Sequence, residues 1–153
     1  MSGSLPHYKL GPASYQVSAL VTGGQLVTAD ASPATTVSVA GAGAILVVGV
    51  AGNDAAPIPN QAGSTDTAAG GAPLVDISVL SDYTSVYSSG YDMHVTYAAN
   101  CTFGTLLKAA ANGTVTPWVS GTDTNAALIV GRCTQPGGVT TSTNAVGRAR
   151  IGL

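Results

Sequence analysis

The chain has no glutamate. All seven acidic residues are aspartate, lysine occurs only at positions 9 and 108, and charged residues make up 8% of the 153 residues. The usual share is about 25%. Glu and Lys normally fill the solvent-facing positions of helices, so their scarcity argues against a helical protein. Two cysteines, Cys101 and Cys133, are too few for a disulfide framework. With no export signal they are expected to be reduced and partly buried, with a bridge between them as the alternative. Long apolar runs are missing as well. The least polar segment, residues 37–52, is shorter than the ~20 residues a spanning helix needs and is broken by Gly41, Gly43 and Gly49. No membrane anchor is expected. Residues 1–20 lack a basic start followed by an apolar stretch, so no secretory signal is expected. The sequons Asn100-Cys101-Thr102 and Asn112-Gly113-Thr114 then carry no weight. Arginine occurs three times, at scattered positions, and the isoelectric point is about 5.3. A nucleic-acid-binding surface is not expected.

What remains is Val, Thr, Tyr and Ile punctuated by Gly and Pro, the composition of an all-β domain. The length fits one domain with a core of its own. The formal net charge of −2 lies in the range where association is favoured, so much of the surface is expected to be covered in the working state.

The most legible stretch is Phe103 to Trp118. Thr105 and Leu107 alternate with Leu106 and Lys108, Asn112-Gly113 supplies the pair best able to adopt positive φ, and Thr114 to Thr116 resumes an extended pattern that Pro117 stops. A strand, a tight turn and a returning strand are predicted. The surroundings of this hairpin occur twice. Gly24 to Ala29 parallels Gly104 to Ala109 at an offset of 80, and Ile45 to Val50 parallels Ala127 to Arg132 at an offset of 82. A third pair, Val75 to Val79 with Val146 to Ile151, closes each half at an offset of 71. Two copies fall short of a solenoid and predict a duplicated half within one domain.

In chain order, residues 1–14 read as an extended arm between Pro6 and Pro12, with Leu5 and Tyr8 as contact candidates. Tyr15, Val17 and Ala19 open the first strand, and Gln25 to Thr28 and Thr36 to Val39 form the next two. Gly41-Ala42-Gly43 lacks the third glycine of a dinucleotide fingerprint and is followed by a strand-like run, so it reads as a β-turn. Residues 56–73 read as a loop. Asp54, Asp66 and Asp76 have no Asp-x-Asp spacing, and no calcium loop is expected. From Tyr83 to Tyr97 the tyrosines, Met93 and Val95 all fall on odd positions and are expected to share one face, with Asp92, His94 and Thr96 on the other. His7 and His94 are far apart, so no metal pair is expected. Ala126 to Arg132 reads as a buried run, and Val146 to Ile151 as a strand with Arg148 and Arg150 on one face. Tyr15, Tyr87 and Trp118 complete the contact candidates, since Tyr and Trp suit interfaces.

The predicted architecture is therefore a single compact β-sandwich or barrel domain, residues 15–153, behind an arm of residues 1–14. Pseudo-repeated halves of about 15–80 and 98–153 are expected, joined by the Tyr-rich segment 81–97. No Gly-x-Ser-x-Gly, His–carboxylate pair or paired-carboxylate arrangement is visible, so an enzyme, with a hydrolase as the nearest case, has little support.

Three groups of residues resemble the head decoration (capsid cement) proteins of tailed bacteriophages. They are Gly23 to Val27 with Val47 to Ala56, Phe103 to Ala109 with Ala111 to Val115, and Ile129 to Arg132 with Gly147 to Ile151. The resemblance implies a small, β-rich, non-enzymatic protein without a cofactor, bound outside an icosahedral head. Its implied partners are the major capsid protein and further copies of itself, often as trimers. Another phage structural part, a tail-tube or fibre component, is the alternative.

Overall fold

The computed structural model describes residues 12–32, 35–57, 80–142 and 145–152. Within them the regular structure is almost entirely strand: β1 (Ala13–Val17), β2 (Leu26–Ala29), β3 (Thr36–Val39), β4 (Val47–Ala51), β5 (Tyr83–Tyr87), β6 (Asp92–Thr96), β7 (Leu106–Ala109), β8 (Val115–Pro117), β9 (Ile129–Cys133) and β10 (Val146–Ile151). Two single-turn 3-10 segments, Ala111–Gly113 and Ala126–Leu128, join them. The protein is all-β, as its composition predicts.

The strands form two five-stranded sheets. The first closes into a barrel in the order β1-β3-β2-β4-β5, and the second runs β6-β10-β9-β7-β8. An isolated parallel bridge from Tyr97 to Val115 brings the edges of the second sheet together, so that it curls into an incompletely closed second barrel, where the first is closed by the parallel pair β1–β3. The pairing schemes match strand for strand. β2 pairs with β3 and β4 as β7 pairs with β8 and β9. Each set carries a register shift at the equivalent place, between Val27 and Thr28 and between Leu107 and Lys108. Opposite these bulges stand Gly49 and Gly131. A Cβ on Gly49 would run into the carbonyl oxygen of Tyr87, and one on Gly131 into that of Arg150. Close approach of a neighbouring strand therefore requires glycine at both positions.

The Tyr-rich segment supplies a strand to each barrel instead of joining them. β5 pairs with β1 and β4 as β10 pairs with β6 and β9. The counterpart of β10 is thus β5, at an offset of 63 (Val86 with Ala149), and residues 75–79 lie outside the described residues. Ala13 and Ser14, counted with the arm in the sequence, already belong to β1. The expected shared face from Tyr83 to Tyr97 is also corrected. In β5 the even residues Thr84 and Val86 are buried and Tyr83 is exposed, whereas in β6 the odd positions turn inward towards Val95 and Tyr97. The turn around Gly90, at φ 98°, resets the phase between the strands. Nor do the two apolar runs begin as buried strands. Ile45 and Leu46 are exposed, as are Ala126 and Ala127, and burial begins only at Gly49 and Val130. The arm up to residue 11 and most of the 56–73 loop lie outside the described residues.

Two apolar cores result. Val17, Val21, Val27, Val37, Ala51, Ala55 and Val86 fill the first barrel. The second is filled by Val95, Tyr97, Leu107, Ala109, Val115, Cys133, Ala149 and Ile151, and it extends onto Leu26, Ala40 and Val50 of the first barrel. Leu26 and Val50 are fully buried although their inward-facing neighbours Val27 and Ala51 already serve the first core. The barrels are thus docked side by side. The hairpin predicted at Asn112-Gly113 forms the contact. Gly113 N donates to Ala40 O at 2.9 Å, and Gln25 Nε2 donates to Asn112 O at 3.1 Å. Burying a Leu or Val side chain is worth about 1.5–3 kcal/mol, so Leu26 and Val50 stabilise this junction more than its few hydrogen bonds.

Asn112 and Gly113 both have positive φ, 55° and 68°. A Cβ on Gly113 would stand 2.8 Å from Gln25 Cβ and 2.9 Å from Leu26 O. Replacing Gly113 with Val is expected to lower stability by about 1–3 kcal/mol through strain alone, and by more if the turn is displaced from the first barrel. Equilibrium denaturation measures this. An unchanged midpoint would contradict the seating of the turn.

Candidate contact surface

The sequence-stated contact candidates fall in different places. Leu5 and Tyr8 lie outside the described residues. Tyr15 is half-buried and packs against the first core. Tyr87, also half-buried, meets Tyr91 edge-to-face with ring centroids 5.5 Å apart, and its ring covers Gly52. Trp118 is half-buried just beyond β8, its indole N–H donating to Asn125 O at 3.4 Å. These residues do not converge on one site.

What does converge is the arginines. Arg148 and Arg150 point outward from β10, with Gly147, Ala149 and Ile151 inward, as the alternation predicts. Register then adds what spacing does not reveal. Arg150 stands directly opposite Arg132 of β9 and, on its other side, opposite Asp92 of β6. Arg148 stands opposite His94. Residues directly opposite each other share a sheet face, so all three arginines and His94 occupy the outer face of the second barrel. The expectation of scattered arginines is corrected: antiparallel pairing folds positions 132 and 150 together. Arg150 Nε donates to Asp92 Oδ1 at 2.9 Å, whereas Arg132 and Arg148, both exposed, have no carboxylate partner among the described residues.

The same row continues across the sheet. Leu106 is opposite Arg132, and Trp118 N donates to Leu106 O at 2.8 Å. One line therefore runs over four strands through Asp92, Arg150, Arg132 and Leu106 and ends on Trp118, just beyond β8. It combines exposed guanidinium groups with the half-buried side chains of Leu106 and Trp118, and Arg and Trp are residue types that anchor interfaces. Exposed Val146 and Val119 flank it.

Two carboxylates away from this row are held by hydrogen bonds within the fold. Lys108 forms an ion pair with Asp123. That hydrogen bond, with a second from Val119 N, holds the Asp123 carboxyl below the usual range. Burial works against the charged form of Asp30, but hydrogen bonds from Ser38, Thr36 and Ser18 outweigh it and hold its pKa below 3.8. Cys101 and Cys133 are buried free thiols. Burial, and then the neighbouring Cys133, raise Cys101 to about 11, so at neutral pH it is not a thiolate nucleophile. Among the described residues no group of three or more His, Cys, Asp or Glu could hold a metal, and no helix is long and apolar enough to cross a membrane.

No family model matches the chain, and no curated protein matches it in sequence. Among solved structures it is similar in fold to the N base of the head fibre gp8.5 of bacteriophage phi29, with a TM-score of 0.54 and 14% identity over 92% of each chain.

Because the folded pKa values of Asp30 and Asp123 lie below 3.8, the stability these carboxylates contribute is present above about pH 3.8 and is lost as pH falls through the lowered values. Asp30→Asn is expected to be less stable than wild type at neutral pH and to lose less on acidification. Thermal melts between about pH 6 and pH 2 check this. Parallel curves for the two proteins would contradict it.

Proposed function

We propose that this protein is a non-enzymatic structural component of a bacteriophage head, added to the outside of the assembled shell as a decoration or cement protein. The observation that carries the reading is the likeness in fold, over 92% of both chains, to a phage head-fibre base. The sequence resemblance to head decoration proteins rests on other features, the paired glycine-containing strands and the hairpin, and points the same way. So does the surface, which is poor in charge and carries one open row of arginine, leucine and tryptophan. The partners proposed are the major capsid protein and further copies of the chain, with a trimer as the favoured unit. The place of action is the virion's outer head surface.

A protein that binds only the assembled shell stabilises it by mass action, about 2.7 kcal/mol per site at a hundredfold excess over Kd. Repeated over a lattice, this opposes the outward pressure of packaged DNA. Mixing purified protein with undecorated, expanded heads is expected to give saturable binding and a raised rupture temperature. Absence of binding to every stage of the head would overturn the proposal.

A second reading is favoured by the neighbour's being the base of a fibre: the two-barrel body anchors a fibre to the head. Saturable binding with an unchanged rupture temperature would select it over cement. The arm gives a separate prediction. Deleting residues 1–10 should leave both barrels folded, since the buried residues described for both cores begin at Val17, and should reduce occupancy on heads. Unchanged occupancy would remove the arm from the contact.

A further inference from the structure

We infer that the outward row Arg150, Arg132, Leu106 and Trp118 of the second barrel is the docking surface for the first barrel of a second copy of this chain. The inference comes from comparing the two barrels. The equivalent row of the first barrel is Tyr87, Val50, Leu26 and Ala40. Tyr87 is opposite Val50, Val50 is opposite Leu26, and Ala40 N donates to Leu26 O, as Trp118 N donates to Leu106 O. Val50, Leu26 and Ala40 are fully buried, because the second barrel and its Ala111–Gly113 turn cover them. Among the described residues no other barrel covers the same row of the second barrel: Arg132 and Arg150 are exposed, and Leu106 and Trp118 are half-buried. Each barrel thus offers the same face, and among the described residues only the first has it covered by the other barrel.

The chemistry of the open row says what covers it. Its Val50 and Tyr87 positions hold Arg132 and Arg150. Two arginines directly opposite each other on an exposed face repel, which is destabilising, and the only carboxylate in the row is Asp92. With Arg148 one step along β10, all three arginines of a chain with five basic residues are spent on one face. An acidic, partly apolar surface would relieve the repulsion. The first barrel is such a surface: its described residues include Asp30, Asp54 and Asp82 and no lysine or arginine. Residues 1–87 hold five aspartates and one lysine, a net charge of −4, whereas residues 88–153 hold three arginines, one lysine and two aspartates, a net charge of +2. At one end of the first barrel, exposed Asp54 and half-buried Asp82 accompany exposed Leu20, Leu80 and Tyr83. Opposite potentials on the two ends of one molecule orient copies head to tail and disfavour arginine face against arginine face. Such a contact leaves one donor and one acceptor free in a pair, so it closes into a ring or propagates. It would form whether or not the protein sits on a head.

Sedimentation velocity on the free full-length protein at low ionic strength tests it. Wild type is expected to sediment above the 15.0 kDa of one chain, and Arg132→Glu to weaken self-association at least about tenfold. Arg132→Lys should associate nearly as wild type does, and circular dichroism should be unchanged in both, since Arg132 is exposed. The occupant is identified by mixing an Arg148→Cys copy carrying a spin label with an isotopically labelled copy. Line broadening in the labelled copy is expected on first-barrel amides. Broadening on second-barrel amides alone would overturn the head-to-tail contact, as would equal association of Arg132→Glu and wild type. A wild type that is monomeric at all concentrations but needs Arg132 to bind heads would overturn the second copy as occupant and assign the row to an acidic patch of the shell.

Discussion

The structure depends on one seated turn. Two small barrels, each with its own valine-rich core, become a single body because the Ala111–Gly113 turn of the second lies on the outer row of the first. Neither barrel is large. The first barrel's described core, seven small buried residues of Val and Ala, is that of a small domain, and small domains are marginal alone. Leu26, Ala40 and Val50 would otherwise present an apolar stripe to water, and burying them adds the interface to the core. The turn can approach so closely only because position 113 has no Cβ and accepts positive φ. Replacing that glycine strains the turn and pushes on the first barrel together.

How much of this can be read in the sequence depends on whether the signal is local. The hairpin is legible because Asn112-Gly113 lies between two alternating runs, and local turn chemistry decides it. The duplication is legible at Gly24 to Ala29 and at the glycine of Val48-Gly49-Val50, since a bulge opposite a closely approaching strand constrains both copies alike. It is not legible at β5 and β10. Tyr83 to Tyr87 and Val146 to Ile151 are equivalent in pairing but share little side-chain chemistry, because equivalent pairing fixes the backbone and leaves the outward side chains free to differ. The segment 75–79, which lies outside the described residues, has the same period-two alternation as Val146 to Ile151. The tyrosine spacing misleads for a related reason: period-two counting through Ser88 to Gly90 carries the phase across a turn that resets it.

The contact surface is legible only in part. Trp118 stands out by residue type, and Arg148 with Arg150 by alternation. Arg132 and Leu106 do not, because their place beside those residues is set by β9–β10 and β7–β9 register, a long-range property. The half-by-half charge balance was available from the sequence, and it gains meaning only once the arginines are seen on one face. A chain this sparing of charge carries all three of its arginines on one face of the second barrel.

Cryo-electron microscopy of the native particle tests the central claim most directly. The account predicts two-barrel density on the outside of the head at a repeated lattice position, with the second barrel's arginine row covered by the first barrel of the neighbouring copy. Heads without such density, or a body whose arginine row faces solvent, would contradict it.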